Sequence, residues 1–533
     1  MNFHSYPFPS QRMPVFACNG VVATSQPLAA QAGLSMLQQG GSAVDAALAA
    51  AVTLTVVEPT SNGIGGDAFA LVWDGQQLHG LNGSGRAPAK LQADELRAQG
   101  YAEIPVDGWL PVTVPGAPAA WGDLHRRFGR LSLAEIMAPA IAYAEQGYGV
   151  SPTVARNWSH AAARFLPQRD PAVSDWAKTF APGGRAPRAG ERWASPDHAA
   201  TLRTLAARGV RDFYEGGLAE KIVAWSKATG GLFQADDLAA HHSRWVQPIQ
   251  TGYRGYEVWE IPPNGQGLTA LMALAILEGT ALPDFPHGSV DSYHLQIEAM
   301  KLAFADAARY IADPDKVEVP VTGLLDPAYI TARRALIGPQ ARLPEAGRPP
   351  HSGTVYLCTA DRDGMLVSYI QSNYDGFGSG IVVPGTGIAL HNRGNCFSLA
   401  AGHPNEAAGG KRPYHTIIPS FLTRQGQAVG PFGVMGGFMQ PQGHTQVVTG
   451  TVDYGLNPQA ALDAPRWRVD GGLQVRVEPG TPEHVLNGLA LRGHKIQLSQ
   501  ERSGFAGQII WRLDEGVYAA GSDMRGDGLA AGW

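Results

Sequence analysis

Cysteine is scarce. Cys18, Cys358 and Cys396 are the only three in 533 residues, widely spaced and odd in number. That excludes a disulfide framework and a multi-cysteine metal site, and it suits a reducing cytoplasm. Charge is sparse too: 16% of residues, with 41 Lys and Arg against 46 Asp and Glu for a net charge of -5. There is no basic stripe of the kind that tracks phosphates, so nucleic acid is not an expected partner. Long hydrophobic runs are missing as well. The longest apolar stretch, Ala46 to Val57, falls well short of the roughly 20 residues that cross a bilayer, and no membrane partner is expected. The opening MNFHSYPFPSQRMPVFACNG has prolines and polar residues where an export signal needs an apolar core, so the expected location is cytoplasmic. No G-x-G-x-x-G, metal-ligand box or obvious Ser-His-Asp set is present, and no cofactor is expected.

What the chain does have is a hydrophobic content of 44%, enough for a large core or more than one domain, with 66 glycines and 39 prolines spread along its length. The pattern is mixed α and β. Ser42 followed by Asp45 forms an S-x-x-D cap, and the apolar run after it predicts a buried helix of about four turns before Pro59. The preceding QPLAAQAGLSMLQQGG predicts a helix stopped by Gly-Gly. The glycine loop NGIGGD leads into the strand-like AFALVW rather than a helix, which favours close backbone packing over a nucleotide cradle. Residues 118–245 read as largely helical and 294–315 as one amphipathic helix, while short strands and glycine turns dominate from 354 onward. Residues 340–353, proline-rich and without periodicity, read as a linker ending at Gly353.

Immediately after that linker come TVYLCTA and MLVSYIQS, two β-rich runs around DRDG, which predict a hairpin. With Arg362 and Asp363 at the centre of the turn, Thr354 faces Gln371; with Asp363 and Gly364 there, it faces Asn373. Either register brings Ser372 beside Thr354, so two hydroxyls meet at the open end of the hairpin.

Several motifs, in order and over nearly the whole chain, resemble the γ-glutamyltranspeptidase family: the stretch from GVVATSQPLAAQAG to NGIGGDAF, then VPGAPAAW, IPPNGQGLTAL, EAMKLAFADAARYIADPD, GKRPYHTIIPS, VMGGFMQPQGHTQVV and LDAPRWRV. The resemblance implies the N-terminal-nucleophile hydrolase fold, an α+β four-layer αββα sandwich. It also implies an inactive precursor that cuts itself before a threonine, here Thr354. The products would be a large subunit 1–353 and a small subunit 354–533, together forming one intertwined domain. In such chemistry Thr354 Oγ1 attacks the carbonyl of Gly353, the acyl group shifts from nitrogen to oxygen, and water hydrolyses the ester. The freed Thr354 amine, with an unperturbed pKa of roughly 7.7–8.0, then serves as base for its own hydroxyl. Gly436 and Gly437 match the family's oxyanion pair, and Ser372 matches its second active-site hydroxyl.

The departures from the family's pattern concern specificity. The acidic residue that usually pairs with the γ-glutamyl ammonium is replaced by Cys396, a nearby glutamine by Arg393, an asparagine by Tyr374, and a Ser-Ser pair by His415-Thr416. Arg86 is a candidate for the carboxylate-binding arginine, its alternative reading being a loop arginine in a surface ion pair. Asn373, Tyr374, Arg393 and His415 are candidate substrate contacts, with a plain pocket wall as the alternative. A pocket of this composition suits a carboxylate without an ammonium, as in the family branch that holds cephalosporin acylase-like proteins and oxamate amidohydrolase. The expected activity is amide hydrolysis of small carboxylate-bearing substrates such as oxamate. The competing readings are a γ-glutamyl hydrolase or transferase acting on glutathione, a cephalosporin (glutaryl) acylase-like enzyme, and an uncleaved binding protein. Homo-oligomerisation is left open.

Overall fold

Ser42 and Asp45 exchange hydrogen bonds at the start of the helix Ala43–Val57. Asp45 N donates to Ser42 Oγ at 3.1 Å, and Ser42 N donates to Asp45 Oδ2 at 2.8 Å. All 15 residues of this helix are buried, as a helix apolar on every side requires. The helix before it, Pro27–Gln38, stops at Gly40 with φ 88°, a left-handed conformation open to glycine. These details come from a computed structural model that describes residues 11–343, 353–502 and 505–533. Residues 1–10 of the N-terminal stretch and residues 344–352 of the proline-rich linker lie outside the described residues.

The two helices cover one face of a seven-stranded antiparallel sheet. Its strands run in the order Leu529–Gly532, Gly20–Thr24, Gly353–Asp361, Leu366–Tyr374, Asp67–Trp73, Leu78–Asn82 and Arg244–Val246. A second seven-stranded sheet packs against its other face, in the order Val15–Ala17, Tyr518–Ser522, Gly507–Arg512, Gln427–Val434, Ser420–Arg424, Tyr256–Glu260 and Ile249–Tyr253. The helices Gly267–Glu278 and Met439–Val452 close the far side. The result is a four-layer αββα sandwich in which each sheet interleaves strands from before and after residue 353. Tyr356 lies between the sheets. Its hydroxyl bonds Ser368 Oγ at 2.7 Å, and its ring occupies the space beside Gly433 that a side chain there would need.

The hairpin is present with a different turn. Pairing runs Val355 to Gln371, Tyr356 to Ile370 and on to Ala360 and Leu366, so three residues, Arg362 to Gly364, make the loop. Gly364 has φ 88°, as three-residue hairpin loops with a left-handed third position require. Neither two-residue register holds. The observed one lies between them, and a bulge between Gly353 and Val355 sets Thr354 on the Ser372 side.

The helix expected over 294–315 runs Val290–Tyr310. Ser289 caps it by accepting from Ser292 N, which starts the helix earlier. It ends ahead of Pro314, whose neighbour cannot easily stay helical. Helices occupy most of 118–245, as expected, although the last of them ends at Ala239 and the strand Arg244–Val246 begins inside the range. No helix among the described residues is long and apolar enough to cross a membrane.

Candidate active site

Thr354 opens the strand Gly353–Asp361 at the bulge and is 3% exposed. Its Oγ1 lies 3.3 Å from Ser372 Oγ, a long hydrogen bond, and Gln440 Nε2 reaches to 3.5 Å. It lines a cavity of about 850 Å³ together with Gly436, Glu58, Asp375 and Arg164. A hydroxyl that borders a large cleft is within reach of a molecule bound there.

Ser372 connects the nucleophile candidate to Tyr374 and Arg393, which, like Asn373, are buried behind the cavity and do not line it. Tyr374 N donates to Ser372 Oγ at 2.7 Å and Arg393 Nη2 at 3.3 Å, while Arg393 Nη1 donates to Thr416 Oγ1 at 2.6 Å. Arg393 is fully buried, its guanidinium carbon 4.4 Å from the centre of the Tyr374 ring. Such stacking partly offsets the cost of burying a cation. Among the described residues no carboxylate lies within 4 Å of it. The Tyr374 hydroxyl has no hydrogen-bond partner among the described residues, and Arg393 acts on the nearby Cys396 thiol through its charge. Burial pushes that thiol up, against the pull of the guanidinium, so it stays neutral. Tyr374 has φ 73°, a left-handed conformation rare for a bulky residue, and its burial likewise keeps the phenol neutral.

His415 is buried against Phe69, ring centres 4.7 Å apart, and does not line the cavity. Its Nδ1 accepts from Ile417 N at 3.3 Å, which leaves the proton on Nε2, 3.0 Å from Asp67 Oδ2. Asp67 Oδ1 accepts from Gly116 N at 3.0 Å. Burial drives the Asp67 carboxyl up to about 7, against the Arg393 guanidinium and the Gly116 N–H. His391 Nδ1 lies 3.7 Å from the same carboxylate, and burial with the charge of Arg393 takes His391 down to about 3. Asn373 is buried with both polar side-chain atoms unbonded among the described residues. It packs on the glycine loop: a side chain at Gly66 would strike Asn373 Oδ1 and Ser372 O. That loop is therefore a close-packing device, as its composition indicated.

Gly436 and Gly437, with φ 111° and 57°, join the strand Gln427–Val434 to the helix Met439–Val452. Gly436 O accepts from Met439 N at 3.0 Å. In a trans peptide this turns the Gly437 N–H away from the helix. Gln266 Nε2 donates to Gly437 O at 2.8 Å and to Thr416 O at 2.5 Å, bracing the glycine turn against the Arg393 wall.

Arg86 is not brought to Thr354. Its guanidinium bonds Asp313 at 3.1 Å, Asp315 at 2.5 Å and the Gly410 carbonyl at 2.7 Å, and it does not line the cavity. Conversely, Asp67, Gln440 and Glu58 were not singled out from sequence, although each lies in a stretch that was. A charged Asp67 between a glycine loop and an apolar strand is the kind of signal that marks a buried polar contact.

A four-layer αββα sandwich with a threonine at the head of a central hairpin strand defines the N-terminal-nucleophile hydrolase class. Residues 29–533 match the Gamma-glutamyltranspeptidase family, and the chain belongs to that family, as an amidohydrolase of the N-terminal-nucleophile type. It is 56% identical to a cephalosporin acylase from Bacillus halodurans whose crystal structure superposes with a TM-score of 0.96, covering 99% of this chain and 98% of that one. The Glutathione hydrolase-like YwrD proenzyme of Bacillus subtilis (strain 168) is 37% identical, over 97% of this chain and 99% of its own. The Oxamate amidohydrolase proenzyme of Klebsiella pneumoniae is 33% identical, over 97% and 98%.

Proposed function

We propose that the chain cuts itself between Gly353 and Thr354 and then hydrolyses amides whose acyl part carries a carboxylate and no ammonium. Thr354 Oγ1 attacks the substrate carbonyl, and the Thr354 amine takes its proton. The N–H groups of Gly436 and Gly437 receive the oxyanion, and Ser372 holds the nucleophile. The intermediate collapses with cleavage of the C–N bond, the Thr354 ammonium returning its proton to the departing amine, and water then hydrolyses the acyl-enzyme ester. The observation that carries the substrate class is Arg393, a buried cation 3.3 Å from Ser372 Oγ, with no carboxylate of the described residues within 4 Å. A cation so close to the nucleophile favours a short acyl group with its carboxylate near the scissile bond, as in oxamate. The γ-glutamyl alternative is disfavoured, because an ammonium would face this cation and a neutral Cys396.

A second reading is favoured by the cavity. About 850 Å³ beside Thr354 is far more than a two-carbon acyl group and ammonia require, and would accept a bulky leaving amine of the acylase kind. One assay tests both: purified, cleaved enzyme is offered oxamate, longer dicarboxylic monoamides, a glutaryl amide of a bulky amine, and glutathione. Preference for any of the first three supports the carboxylate reading, and preference for glutathione overturns it.

A further inference from the structure

Asp67 takes no part in bond making, yet it sits at the centre of the wall behind the nucleophile. It is the cross-strand partner of Ser372, is wholly buried, and holds His415 through Nε2 at 3.0 Å. Arg393 is the strongest charge acting on it. The two are opposite charges in one dry compartment without direct contact. Arg393 donates through Nη1 to Thr416 and through Nη2 to Ser372, its Nε having no partner among the described residues, and Asp67 accepts from Gly116 and His415.

We propose that Asp67 is a positioning residue that sets the affinity for the substrate carboxylate through Arg393 and His415. Its negative form partly cancels the guanidinium and weakens carboxylate binding, and its neutral form releases the full positive charge. The inference rests on the reading of Arg393 as the carboxylate's partner.

The groups facing Asp67 are His415 and Arg412 from one segment, His391 and Arg393 from another, and Tyr214 from the short helix Asp212–Glu215. Burial keeps both histidines neutral across the working range, and Tyr214 is neutral as well. The arginines stay charged. That leaves Asp67, raised to about 7, as the member of this compartment whose charge changes between pH 6 and 8.5. Linkage fixes the sign: a carboxylate on Arg393 favours the protonated Asp67, so protonation of Asp67 favours the carboxylate equally. Affinity for anionic substrates therefore falls as pH rises through Asp67's ionisation, whereas a neutral amide is unaffected.

The test compares kcat/KM for malonate monoamide with that for malonamide on cleaved enzyme between pH 6 and 8.5. Taking the ratio cancels the ionisation of the Thr354 amine, which serves both substrates. In the wild type the ratio is expected to fall roughly tenfold, the size of a charge interaction across several ångströms of protein. In Asp67→Asn, or Asp67→Ser if the amide is not recovered folded, the ratio should stay at its low-pH value across the range. A flat ratio in the wild type, or a fall that persists in the variant, overturns the inference while leaving the substrate class intact. If cleaved enzyme hydrolyses neither the monoamide nor other carboxylate-bearing amides, the substrate reading falls and this inference with it.

Discussion

Thr354 Oγ1 and Ser372 Oγ lie 3.3 Å apart on facing strands of one hairpin, 18 residues apart in sequence. The hairpin thus brings the Thr354 hydroxyl to Ser372, while Gln440 and Arg393 reach the pair from distant segments. Thr354→Ala should remain a single chain of 533 residues and show no amidase activity. Thr354→Ser keeps the hydroxyl but loses the methyl that limits χ1, and should cut and turn over about 10- to 100-fold more slowly. A denaturing gel and N-terminal sequencing of the small fragment, expected to begin Thr-Val-Tyr, check both.

Gly436→Ala places a methyl against the Phe505 ring at a left-handed φ of 111°. The turn has to shift, and with it the N–H groups assigned to the oxyanion. A loss of kcat of about 100-fold or more with little change in KM is expected. An unchanged kcat would remove these glycines from the reaction.

Arg393→Ala removes the cation behind Ser372. KM for carboxylate-bearing amides should rise about 10- to 100-fold, the worth of a charge-assisted pair, while KM for a neutral amide moves much less. Equal losses for both substrates would mark Arg393 as a packing residue.

Glu58, at the end of the buried helix, accepts from Ser25 Oγ at 2.6 Å, and burial lifts its carboxyl to about 7, with Asp527 adding to the rise. A carboxyl raised on folding contributes stability that is fully present below its unfolded pKa and is lost as pH climbs through the folded value. Glu58→Gln, fixed in the neutral form, should match the wild type near pH 4.5. At pH 8 it should be more stable by about 2–3 kcal/mol, measured by urea unfolding. Identical pH dependence in the two proteins would rule this out.

The local parts of the structure were legible because their causes are local. Ser42 and Asp45 lie three residues apart, so the cap of the buried helix is written in a four-residue pattern. Gly40 marks the stop of the helix before it, and the β-rich runs around DRDG form the hairpin that brings Thr354 to Ser372. The turn was not legible in the same way. Whether two or three residues close the loop depends on backbone twist and on the bulge after Gly353, and both admissible patterns contain the same Asp-Gly.

The wall behind Thr354 was decided by the tertiary structure alone. Asp67 and His415 are 348 residues apart, and Arg393 meets Thr416 and Ser372 from a third segment. Arg86 was drawn instead to Asp313 and Asp315, more than 200 residues away. Periodicity and capping act over one or two turns of chain. The charge state of Asp67, by contrast, follows from how much water the finished sandwich excludes and from which arginine is buried beside it. Sequence thus determined the elements and the residue types at the site, and the packing of distant segments determined which of those residues meet and what charge they carry.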